Sequence, residues 1–134
     1  MAGLLTHLVI AFVGFTLFSL AFKSYKYGFS FAFGHLIPDL IDFGIAGIKQ
    51  GSLNPETIMT SHWFSPLAML GHTFSNWLVL LLVILVIIAI LQAYKKINKP
   101  TLKKILLILA LFLLGVILHV LILDVFIIET SPWI

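Results

Sequence analysis

The chain has 134 residues, 61% of them hydrophobic and 10% charged, with a net charge of +3 and a mean hydropathy of +1.17. So few polar residues cannot cover a soluble domain of this size, which points to an integral membrane protein forming a single membrane domain over residues 1–134. There is no cysteine, so disulfides and thiolate metal sites are excluded. All eight basic residues are lysines in separate clusters, a pattern that gives nucleic-acid binding no support.

The expected fold class is all-α, an integral membrane bundle of four transmembrane helices. The first span covers about residues 3–22 ("GLLTHLVIAFVGFTLFSLAF"), close to the roughly 20 residues a bilayer crossing needs. Its lysines follow rather than precede it, which argues against a cleaved signal peptide. The second span covers about 27–48 and carries "GHLIPDLID", a histidine and two aspartates inside an otherwise apolar segment. A polar stretch, "KQGSLNPETIMTSH", reads as a loop. "WFSPLAML", containing Pro66, reads as a short interfacial or re-entrant helix before the third span, about 71–94. A basic connector, "KKINKPTLKK", leads to the fourth span, about 105–128.

Seven of the eight lysines lie in the connectors between spans one and two and between spans three and four, leaving Lys49 in the other loop. The positive-inside rule puts those two connectors in the cytoplasm and both termini on the extracytoplasmic side of the cell membrane. In that topology His7 lies about a turn from the outer end of span one. Asp39 and Asp42 lie in the outer half of span two, with His35 near its middle. His62 ends the long loop, His72 opens span three, and His119 and Asp124 lie in the outer half of span four. All five histidines and all three aspartates thus fall in or beside the outer half of the bundle, which points to one site.

Energetics supports the same conclusion. An aspartate near the middle of a span costs about 2.5–3.5 kcal/mol, against about 0.3–0.6 kcal/mol returned by each Leu, Ile or Phe. Span two is therefore close to break-even, and needs neighbouring helices or a bound cation to sit stably. Intramembrane ionisable groups are functional candidates for this reason. His35, Asp39 and Asp42 follow i, i+4, i+7 spacing and share a face about 60° wide on a regular helix. Pro38 stands among them and is expected either to kink the helix at Gly34 or to begin a second half-helix.

Carboxylates with neutral imidazoles form a nitrogen-and-oxygen ligand set suited to a divalent metal, zinc first, with manganese or iron as alternatives. One or two such ions commonly activate water for hydrolysis. At the outer face such a site would meet membrane lipids or lipid-linked phosphates. His62, beside Trp63, reads as a surface neighbour of an aromatic belt, with a ligand role as the alternative. Trp63, Trp77 and Trp133 read as interface anchors.

An early Thr6-His7, the block Gly34-x-x-x-Pro38-Asp39-x-x-Asp42, a central histidine beside Thr and Ser, and a late Gly115-x-x-x-His119 followed by Asp124 resemble the YdjM-like (DUF457) membrane-bound metal-dependent hydrolases. The resemblance spans nearly the whole chain, and "PDLID" is its most specific part. It implies a metal site from His7, Asp39, Asp42, His72, His119 and Asp124, with hydrolysis of a phosphoester as the chemistry. Two departures stand out. The central motif reads "GHTFSN", without the arginine usual in that family, which leaves a second ligand from this region unassigned, with His62 as a candidate. The late His and Asp stand five apart instead of four, about 140° around an ideal helix; a π-bulge would bring them back to one face, and such bulges favour functional sites.

The expected function is hydrolysis of a phosphoester of a lipid or lipid-linked substrate near the extracytoplasmic face. Metal is held by the six residues above, and Asp42 or His35 acts as the catalytic base. The alternative is a non-enzymatic membrane protein whose polar core binds an ion or docks another membrane subunit. The cytoplasmic halves of the spans carry little polar lining, which counts against a transport path through the bundle.

Overall fold

The computed structural model describes residues 4–123, and among these it is helical with no strand. Helix α1 spans Leu4–Ala21 and turns back at Phe22–Ser24, where Lys23 adopts a positive φ of 53°. α2 spans Tyr25–Asp39 and continues without a break through a π-helical turn, Leu40–Gly44, into α3, Ile45–Gln50. Two short helices follow, α4 at Pro55–Met59 and α5 at Phe64–His72. α6 spans Phe74–Ala93, and α7 spans Lys99–Ile117 and runs on into a second π-helical turn, Leu118–Leu123.

Three of these segments, Tyr25–Gln50, Phe74–Ala93 and Lys99–Leu123, are long and apolar enough to cross a membrane. α1 is mostly apolar, but its 18 described residues measure about 27 Å at about 1.5 Å per residue, just short of a hydrocarbon core of about 30 Å.

α2 is the central helix, packed against α1 on one side and α7 on the other. Glycines set how closely they approach. A Cβ on Gly28 would meet the carbonyl oxygen of Phe15 in α1, and one on Gly34 would meet that of Phe112 in α7. Gly115 reciprocates, since a Cβ there would meet the carbonyl oxygen of Phe31. Small residues at such crossings let backbones touch, which drives helix association where lipid removes the hydrophobic gain. Ser30 adds a hydrogen bond, its hydroxyl donating to the Ile108 carbonyl at 2.7 Å. α6 lies outside this trio and leaves most of its surface exposed.

The structure corrects several expectations. Pro38 does not begin a new half-helix; α2 runs through it, and a π-helical turn, Leu40–Gly44, starts two residues later. The "loop" contains α4, whose start is capped by Asn54 accepting from Glu56 N–H at 3.0 Å, with Pro55 at the first helical position. α7 begins at Lys99, earlier than residue 105, because Asn98 caps it by accepting from Thr101 N–H at 2.9 Å. His72 closes α5 instead of opening the third span, and extended backbone at Thr73 separates it from α6. Trp77 is no interface anchor: it is buried among Val116 and Val120, and its indole N–H donates to the Gly71 carbonyl at 2.7 Å. That bond ties the start of α6 to the end of α5, where His72 sits.

Candidate metal centre

Four elements converge at the end of the bundle opposite the Lys23–Lys26 and Lys95–Lys104 connectors. α1 brings His7, α2 and its π-helical turn bring His35, Asp39 and Asp42, α5 brings His72, and the turn after α7 brings His119. In a bundle this apolar, full burial of so many polar groups is unusual. His35 and His119 are 0% exposed, Asp42 1% and His7 2%.

Three atoms form the outer part of the site. Asp39 Oδ1, His72 Nε2 and His119 Nε2 define a triangle with edges of 3.6, 3.4 and 3.3 Å. Each comes from a different stretch of chain, so only the tertiary fold assembles them. Asp42 stands behind His72, its Oδ2 3.4 Å from His72 Nδ1, while its Oδ1 accepts from Phe43 N–H at 2.7 Å. A carboxylate on one ring nitrogen, with the other nitrogen turned to the site centre, is the arrangement that orients metal-binding histidines.

An inner trio continues from His119. His7 Nδ1 lies 3.4 Å from His35 Nε2, and the His7 ring stacks on that of His119 at 4.3 Å between centroids. His7, His35 and His119 form a buried cluster able to hold a metal ion, and Asp39, His72 and His119 form a second that shares His119. The site opens at His72 and Asp39, whose side chains are 24% and 14% exposed; the inner trio is sealed.

Local structure explains the placement. One turn of helix separates His35 from Asp39, so the first reaches the inner trio and the second the outer one. The π-helical turn then widens the helix where Asp42 must meet His72. A Cβ on Gly71 would stand 2.9 Å from the Pro38 carbonyl oxygen, so α5 lies directly on the turn that carries Asp39. His119 lies within the second π-helical turn, the distortion that the five-residue spacing called for. Its partner in that spacing, Asp124, lies outside the described residues, as does Trp133. His62 is on the exposed surface, its ring against Trp63 at 4.6 Å, with Lys49 Nζ 5.1 Å from that indole; it does not join the cluster. Sequence reasoning missed the packing contacts that Gly34, Gly71, Gly115 and Trp77 make. Glycines in apolar helices were the available signal for the first three.

Compared with family models, curated proteins and solved structures, the chain matches none of them.

Two substitutions separate the site from its surroundings. Asp42→Asn keeps the shape but weakens the hold on His72, and is expected to lower metal affinity by about 10–100-fold, measured by competition with a chromogenic chelator. His62→Ala is expected to leave metal content and thermal stability unchanged in the same preparations.

Proposed function

We propose that the chain is a membrane-embedded, metal-dependent hydrolase that cleaves a phosphoester of a lipid or lipid-linked substrate near the extracytoplasmic face. The observation that carries the proposal is the triangle of Asp39 Oδ1, His72 Nε2 and His119 Nε2. A tetrahedral zinc with bonds of about 2.0–2.1 Å holds its ligand atoms about 3.3–3.4 Å apart, and the three edges are 3.3, 3.4 and 3.6 Å. A single proton can lie along one edge of such a triangle, whereas a cation at its centre meets all three atoms. Two nearby carboxylates offset the two charges of a divalent ion, which makes burial of the set tolerable. Zinc fits this nitrogen-and-oxygen set best, and the same features support the resemblance to the YdjM-like hydrolases.

A divalent ion bound here would supply acidification of a water toward neutral pKa. Asp39, His72 and His119 would hold it, while His7 belongs to the adjoining inner trio with His35. Asp42 holds the His72 imidazole so that its Nε2 faces inward. Of the two residues expected to act on protons, Asp42 faces His72 Nδ1, away from the triangle, and so acts by positioning that imidazole, while His35 belongs to the sealed inner trio. The partial exposure of Asp39 and His72 gives a substrate its approach. In this reading α1 is a fourth crossing, the lysine connectors lie in the cytoplasm, and the site faces outward among lipid headgroups.

The test is release of phosphate or phosphorylated headgroup from glycerophospholipids and polyprenyl phosphates by the zinc-loaded protein in mixed micelles. Turnover that disappears in Asp39→Ala is expected. Metal binding without cleavage of any phosphoester would leave the chain as an ion-binding or subunit-docking membrane protein.

A further inference from the structure

α6 carries no histidine or acid, and of its residues only Trp77 and Ile88 are buried. Burial of Trp77 takes a polar group with it. Its indole N–H needs an acceptor once out of water, and it finds the Gly71 carbonyl oxygen at 2.7 Å. The Gly71 C=O and the His72 N–H belong to one planar peptide unit, so holding that oxygen fixes the plane from which the His72 Cα departs. Asn76 acts one unit earlier. Its side-chain amide donates to the Leu70 carbonyl at 3.1 Å and reaches the Met69 carbonyl at 3.4 Å. The last carbonyls of a helix lack partners within it. In α5, three in succession take donors from these two side chains, across the extended joint at Thr73.

The rest of the indole meets the chain that carries the other histidine. Trp77 forms a buried cluster with Val116 and Val120, and Val120 directly follows His119. Phe112, one turn before Val116, meets the indole edge-on at 5.9 Å between centroids. Ile37 and Ile41, two residues to either side of Asp39, pack against the same cluster. An apolar ring of similar bulk could fill this space, but only an N–H donor can also hold the Gly71 carbonyl.

We propose that Trp77 is a positioning residue of the metal centre, setting the 3.3 Å separation of His72 Nε2 and His119 Nε2 by holding the peptide before one and packing beside the other. Asn76 assists from the same turn of α6. The proposal rests on the reading of Asp39, His72 and His119 as metal ligands and deepens it, because it places a determinant of metal affinity on a helix without ligands. Ligand distances in metal sites vary by only about 0.2 Å, so a small rotation of α5 is enough to weaken binding.

The test titrates the purified full chain in detergent micelles with Co2+, which takes the place of zinc and gives the site a visible absorption band. Trp77→Phe keeps an aromatic ring and removes the N–H. Its Co2+ affinity is expected to fall about tenfold, with a shifted band. Asn76→Ala, on the exposed surface, is expected to show a smaller loss, and it decides the matter should Trp77→Phe not fold. Ile88→Ala, a buried change about three turns further along α6, controls for stability: a lower melting temperature with wild-type affinity and band is expected. Wild-type affinity and band in Trp77→Phe, or in Asn76→Ala where Trp77→Phe does not fold, would overturn the proposal. So would an equal loss of affinity in Ile88→Ala, which would assign the effect to stability alone. A wild-type chain that takes up no Co2+ overturns the metal centre as well, so failure of that reading is told apart from failure of this one.

Discussion

Asp39→Ala is expected to abolish stoichiometric metal binding. Asp39 Oδ1 is one corner of the outer triangle, 3.4 Å from His119 Nε2 and 3.6 Å from His72 Nε2. Losing a direct ligand should cost more than the roughly 10–100-fold typical of an outer partner. Stability provides an independent sign. Zinc at a hundred times its dissociation constant would stabilise the wild type by about 2.7 kcal/mol, and Asp39→Ala should show no such gain. In metal-free protein the variant should be no more stable than the wild type, because it removes the carboxylate 3.4 Å from the buried His119 imidazole. Thermal unfolding in detergent, with and without added zinc, measures both.

Gly115→Ala is expected to empty the site without touching any ligand. A Cβ on Gly115 would meet the Phe31 carbonyl oxygen and lie 2.7 Å from the His35 backbone nitrogen. Both neighbours are backbone in α2, so neither can swing aside and α7 must move away. Overpacking of this kind costs about 1–3 kcal/mol. Gly115 lies one helical turn before His119, so the displacement carries His119 away from Asp39 and His72. Gly44→Ala is the matched control, because its added Cβ would meet only Leu40 Cδ2, at 3.9 Å. A loss of metal and a lower melting temperature in Gly115→Ala, with neither in Gly44→Ala, is the expected pattern.

Much of this site was legible because its residues are costly where they stand. Asp39 and Asp42 in span two, and His119 in an aliphatic helix, had no cheap explanation in hydrocarbon. Their depth followed from the lysine connectors, and those depths brought His7, His35 and His72 into the same layer. The five-residue gap between His119 and Asp124 was one that a π-bulge would repair; Leu118–Leu123 is π-helical, and Asp124 lies outside the described residues. Pairing was not legible. That His7 meets His35, or that Asp42 stands behind His72, depends on how helices rotate and cross, which one chain's periodicity does not specify. Two misplacements are local. His72 was read as the start of a span because the apolar run after it is long, yet Thr73 breaks the helix and Trp77 ties the two pieces through Gly71. Pro38 was read as a kink or the start of a second half-helix, yet α2 continues through it, with Gly34 close against α7 and Gly71 against the Pro38 carbonyl.

The most direct measurement is elemental analysis of the purified protein, prepared without chelators and compared with Asp39→Ala and His119→Ala. At least one divalent ion per chain in the wild type, zinc in the first place, and less than a tenth of that in either variant is the expected result. A wild-type protein that holds no stoichiometric metal, even after incubation with zinc, would contradict the metal centre and the hydrolase built on it.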